Sequence, residues 1–153
     1  MAIKVSGTTV IDDSRGLTAV SASFTDLLKE TTNITAGKLS DNTNIDLENG
    51  MVHYFTTTET TTSTPNIRYS SSETLNSKMS VGEAISFVII TTAAAGAYSA
   101  QLTIDGSAVT ENWIGGEAPS EGGSSGVDIY THTIIKTGDG AYTVLSALSK
   151  TSG

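Results

Sequence analysis

From residue 83 to residue 148 the chain is one β-favouring run after another, each closed by glycine. Runs at 83–92, 98–105, 127–136 and 141–148 are separated by Asp105-Gly106, by a corner at Trp113-Ile114-Gly115-Gly116, and by Thr137-Gly138-Asp139-Gly140. Strands at this spacing with glycine turns restrict the chain to an all-β fold, a β-sandwich or a jelly roll. Composition agrees. Apolar residues make up only 37%, and threonine, stiff at χ1 and suited to a pleated surface, fills much of the remainder.

Alternation sets the faces. Ile85, Phe87 and Ile89 oppose Ser86, Val88 and Ile90, so both faces are apolar and this strand is expected at the centre of a sheet. Ile129, Thr131, Thr133 and Ile135 oppose Tyr130, His132 and Ile134. Upstream, residues 45–47 and 51–58 read as two strands around Glu48-Asn49-Gly50, and Asn-Gly predicts a hairpin between them. Residues 71–79 read as a polar loop. At the head of the chain, Ile3-Lys4-Val5 and Thr8-Thr9-Val10-Ile11 flank Ser6-Gly7 and predict a tight hairpin.

The period changes at residues 17–30. Leu17, Val20, Phe24 and Leu27 recur at steps of three, four and three, and the same seam runs on to Thr31 and Ile34. That spacing predicts a short amphipathic helix whose a/d stripe needs a partner; an extended segment laid on another surface is the alternative. The expected organisation is therefore an N-terminal arm at 1–34, a linker at 35–44 and a β-sandwich at 45–153. Ile3, Val5, Val10, Ile11, Leu17, Val20, Phe24 and Leu27 are the expected attachment and oligomer seam.

Several chemistries lack support in the residues. A net charge of −8 argues against a nucleic-acid backbone as partner. No cysteine is present, so neither disulfides nor thiolate chemistry is available. The first five residues lack the apolar core of a secretory signal, and no apolar run reaches bilayer length. A soluble chain made in the cytoplasm, without membrane insertion, is expected. His53 and His132 each stand alone within a strand, away from any metal-ligand spacing. The glycine-rich stretches lack the Lys-Ser/Thr of a phosphate loop, and no nucleophile elbow joins a strand to a helix. No catalytic residue, metal or cofactor is expected. Trp113 reads as a core or corner residue, or as an exposed anchor. In the second case Trp113, Tyr130 and Tyr142 are the candidate surface-binding aromatics.

Two stretches carry a resemblance. Residues 3–18, IKVSGTTVIDDSRGLT, resemble a segment that recurs in tail-fibre-like and virion structural proteins of tailed bacteriophages, marine cyanophages above all. The usual asparagine near its end is replaced by Ala19-Val20. Trp113-Ile114-Gly115-Gly116-Glu117-Ala118-Pro119 and Gly126-Val127-Asp128-Ile129-Tyr130 resemble the W-x-G-G-x-x-P and G-x-D-x-Y elements of terminal β-domains in the same proteins. Together the two stretches span about a quarter of the chain. The resemblance implies a non-enzymatic virion component, usually a homotrimer, whose partners are its own copies, other tail or capsid proteins and a host-surface glycan. A short tail fibre comes first. A capsid decoration or cement protein is the alternative within the virion, and a carbohydrate-binding sandwich module is the alternative of another class.

Overall fold

The computed structural model describes the backbone of the strands β1 (Ile3–Val5) and β2 (Thr8–Ile11), then Asp26 and residues 29–153. β1 and β2 form the expected antiparallel hairpin around Ser6-Gly7, with Val5 opposite Thr8 and Ile3 opposite Ile11. Of the predicted helix at 17–30, the seam residues Leu17, Val20, Phe24 and Leu27 lie outside the described residues.

The body is all-β, as the alternation requires. Its strands are β3 (Thr32–Thr35), β4 (Asn44–Asp46), β5 (Val52–Thr58), β6 (Asn66–Arg68), β7 (Ala84–Thr92), β8 (Thr103–Ile104), β9 (Ser107–Ala108), β10 (Glu111–Trp113), β11 (Val127–Gly138) and β12 (Ala141–Lys150). They make a six-stranded sheet in the order β10-β12-β11-β7-β5-β3 and a four-stranded sheet in the order β4-β6-β8-β9. The core lies between the sheets. Phe55, Phe87, Ile89, Tyr130, Ile134 and Val144 come from the larger one, and Ile45, Ile67 and Ile104 from the smaller.

The connections differ from those of a jelly roll, which pairs antiparallel strands. From β3 to β8 the chain visits the two sheets alternately, and each visit lies parallel to the previous one: β3, β5 and β7 in one sheet, β4, β6 and β8 in the other. Parallel neighbours need a long crossover, and here each crossover passes through the opposite sheet. Three rungs of a coil result. Thr32 pairs with Val52, twenty positions on, and Asn44 with Asn66, twenty-two positions on.

Stacked rungs align like residues. Ile45, Ile67 and Ile104 stack in register and are at most 1% exposed. Outside them Asn66 Nδ2 donates to Asn44 Oδ1 at 2.9 Å, and Thr103 Oγ1 donates to Asn66 Oδ1 at 3.0 Å. Arg68 closes a fork on the Asp46 carboxylate beside this ladder. After β8 the coil stops. Asp105 and Gly106 both take positive φ, 50° and 80°, the conformation a two-residue hairpin turn demands, and β9 folds back. β10 then joins the far edge of the large sheet, and the long β11–β12 hairpin fills the gap beside β7.

Five expectations change. Of the run at 98–105 only Thr103–Ile104 forms a strand, β8. The Asn49-Gly50 hairpin does not form: β4 and β5 belong to different sheets. Gly50 instead closes a 3-10 turn at Leu47–Asn49 with φ 117° and ψ 168°, which carries the chain across to the other layer. A Cβ there would lie 2.5 Å from the Thr31 carbonyl, so glycine is required for a close approach as well as for the dihedral. The arm and linker boundaries also move. Thr31 and Ile34 do not continue a helical seam: β3 is an edge strand of the large sheet, so the body reaches upstream of residue 45. Within 35–44, Leu39 is 1% exposed. Its amide donates to Glu59 Oε1 at 2.6 Å. Finally, 71–79 contains a helical turn, α1 (Leu75–Lys78). Thr74 caps it by accepting from the Ser77 amide, and Asp105 takes the amides of Leu75 and Asn76. That capping lets Leu75 and Met79 reach the core.

Candidate functional site

The chemistry-bearing side chains of the large sheet converge on its inner face. His132 on β11 pairs across β12 with Ser146 and across β7 with Phe87. On β10, Trp113 pairs with Ser146 and Glu111 with Val144. Alternation alone puts these residues on one side, because each is an inward position of its strand.

Ser146 Oγ donates to Glu111 Oε2 at 2.6 Å, and it stands 2.8 Å from His132 Nδ1. With the hydroxyl hydrogen committed to the carboxylate, the network assigns a proton to Nδ1, which donates to Oγ. Glu111 Oε1 accepts the Leu102 amide at 2.8 Å. The imidazole stacks on Phe87 with centroids 5.1 Å apart and meets Trp113 edge-on at 6.3 Å. Among the described residues Nε2 has no hydrogen-bond partner. The side chains of His132 and Glu111 are 2% and 3% exposed. Burial pushes His132 down to about 4. Burial also raises Glu111, opposed by its bonds from Ser146 and Leu102. Imidazolium and carboxylate are thus driven toward their neutral forms from opposite sides.

Ser, His and Glu are the residue types of a hydrolase triad, but the arrangement differs. In a triad the base takes the serine proton on one ring nitrogen while the acid holds the other. Here serine and glutamate share the Nδ1 side, the hydroxyl is spent on the carboxylate, and Ser146 is 0% exposed. The trio is a buried relay that ties β10, β11 and β12 together.

Other buried charges clamp loops. Lys136 Nζ donates to the carbonyls of Asn76 and Met79 at 2.6 and 2.9 Å. Asp128 accepts the Gly123 amide, and Glu59 takes the amides of Leu39 and Ser40. His53 is also enclosed. Its Nδ1 lies 3.2 Å from Asn33 Nδ2 and its Nε2 is 3.0 Å from the Gly50 carbonyl, which fixes a neutral ring with the proton on Nε2. Burial again lowers it. The two histidines do not stack on each other; His53 pairs across to Ile89, and His132 to Phe87.

The three surface aromatics separate. Tyr130 is 1% exposed and is a core residue, not a surface one: its inward strand position puts the ring between the sheets, where the hydroxyl accepts the Ser99 amide at 3.1 Å. Burial raises it to about 12. Trp113 and Tyr142 are half-buried against the core, and the Tyr142 hydroxyl reaches Asn76 Oδ1. Ile3, Val5, Val10 and Ile11 are placed in the hairpin by backbone only. Sequence patterning missed Glu59, Asp128 and Lys136 as structural groups, since a charge at an inward position is visible only once the strand's inner face is known. His132 and Lys136 did stand in phase with Tyr130 and Ile134, and that was the available signal.

Among the described residues no group of three or more His, Cys, Asp or Glu is arranged to hold a metal, and no helix is long and apolar enough to cross a membrane. No protein-family model, no curated protein and no solved structure matches the chain.

Proposed function

We propose that this chain is a non-enzymatic structural component of a tailed-phage particle, a short tail fibre or fibre-like appendage that works as a homo-oligomer. One observation carries the reading, the resemblance of residues 3–18 to the segment that recurs in virion structural proteins. The organisation of the body is in keeping with it. Stacked rungs bind each strand to parallel neighbours through whole rows of backbone bonds, and buried ionic groups serve to pin loops. A glycan-binding module would need a flat aromatic platform, and Tyr130 in the core breaks up the set of Trp113, Tyr130 and Tyr142.

Gold-labelled antibody against the chain, applied to phage particles from a culture that carries the gene, tests the proposal under the electron microscope. Label on the tail is the expected outcome. Label over the head would move the protein to capsid decoration. Particles without label, from a lysate in which the protein is free, would defeat both.

A further inference from the structure

The large sheet has its charges on the wrong side for a solvated surface. Glu111, Asp128 and Lys136 all point inward. The outward positions of the same strands, Thr32 on β3, Val52 on β5, Ser86 on β7, Thr131 on β11, Thr143 on β12 and Asn112 on β10 with those in phase with them, include no Asp, Glu, Lys or Arg. The chain as a whole has 24 charged side chains among 153 residues, so six strands without a charge at any outward position are not an accident of composition. A row of apolar residues crosses it: Ile34, Tyr54, Ile90 and Ile129 are consecutive cross-strand partners. Val52 and Val88 form a second short row beside them. Ile34 is 65% exposed and Leu145 is 40% exposed. A shallow depression of about 270 Å³ is lined by Val52, Val88, Thr131, Ile114 and Leu145 on this side, with the Glu30 carboxylate, which accepts the Met51 amide, at its margin. Open sheets ordinarily set charge on their outward faces and edges to prevent association.

We infer that this face is an interface between copies of the chain, packing sheet against sheet on a second copy. Two arguments select that occupant. The first is electrostatic. With a net charge of −8, two copies repel over most approaches, and a face whose strands carry no charge, with Glu30 alone at its margin, offers contact with few like charges opposed. The second is size. Six strands spaced ~4.8 Å apart, each contributing about seven residues at ~3.3 Å, give a plane of roughly 600 Å². Side-chain relief brings that near the ~800 Å² per partner of a stable interface. Stacked sheets sit ~10 Å apart with interdigitating side chains. The inference stands on the face alone and does not require a phage particle.

The test uses the full chain. Light scattering gives its mass at low and high micromolar concentration, alongside Thr131→Glu/Leu145→Glu, which sets charge at two solvent-open positions of the face. Val81→Glu is the control, because Val81 is 65% exposed and lies off the sheet. A multimer for the parent and for the control, with mass falling at least twofold in the double variant, is expected. If the double variant melts early, Thr131→Glu alone carries the test. A parent that is monomeric throughout overturns the inference, and so does a double variant that stays assembled. Dispersal by Phe24→Glu while the face variants remain assembled would place the contact in the arm and overturn it as well.

Discussion

Acid should loosen this protein through His132. Its imidazole is driven down to about 4 by burial, against 6.5 for a solvated histidine. Above pH 6.5 neither the folded nor the unfolded chain carries the proton, and the stability is whole. Below 6.5 the unfolded chain takes up the proton and the folded chain does not, so stability falls until the folded ring itself titrates near 4. At ~1.36 kcal/mol per unit, the loss across that window is about 3 kcal/mol, a large fraction of the 5–15 kcal/mol typical of a domain. Glu111 acts in the opposite sense. Its folded-state value is raised, so it binds a proton earlier when folded and returns some stability as pH drops through that value. His53, also lowered, adds to the loss, and a variant separates the two. His132→Phe keeps a ring stacked on Phe87 and leaves the Ser146–Glu111 bond intact. Urea unfolding at pH 7.5, 6.5, 5.5 and 4.5 should show the parent losing ground to this variant steadily below pH 6.5, by up to about 3 kcal/mol. Parallel curves for the two proteins across the whole range would refute the argument, because they would mean His132 is reached by protons in the folded state as easily as in the unfolded one.

Two further outcomes are expected from the coil. Ile67→Ala removes the middle of the isoleucine ladder at a fully enclosed position and should cost about 3–4 kcal/mol in urea unfolding; a cost under about 1 kcal/mol would mean the rungs do not pack in register. Gly50→Ala should lower the melting temperature through positive-φ strain of about 1–3 kcal/mol plus the clash with the Thr31 carbonyl, whereas Gly140→Ala, with open space around its Cβ position, should cost only the strain.

Much of the second half was legible in the sequence. The alternation in β7, β11 and β12 gave faces that the structure keeps, and Asp105-Gly106 turned the chain where its dihedrals said it would. The coil was not legible. A parallel pair such as β5 and β7 leaves no local mark, since its partner lies a whole crossover away and neither turn chemistry nor period records which sheet a strand joins. Asn49-Gly50 shows the same limit at short range. Both residues suit a hairpin, yet burial of Leu47 and the approach of Gly50 to Thr31 favoured a crossing. The buried relay was half visible. His132 and Ser146 were each in phase with a core face, but the register that joins them to Glu111 is a tertiary fact.

The in-register coil also bears on how such a chain could change length over time. Within the coil each rung pairs only with the rung before and the rung after, so a duplicated turn of some twenty residues would slot between two existing ones and find its hydrogen-bonding partners ready on both sides. The stretch from β6 to β7 already shows the tolerance. Val52 pairs with Val88, thirty-six positions on, and the surplus over the previous turn is taken up at the rim by α1 and its flanks while the ladders stay aligned. Growth by whole turns, and decoration of the rim between them, are the changes this architecture accepts at least cost. A shift of one residue is the change it resists, because it would turn Ile67 outward and bring Asn66 or Arg68 into the core.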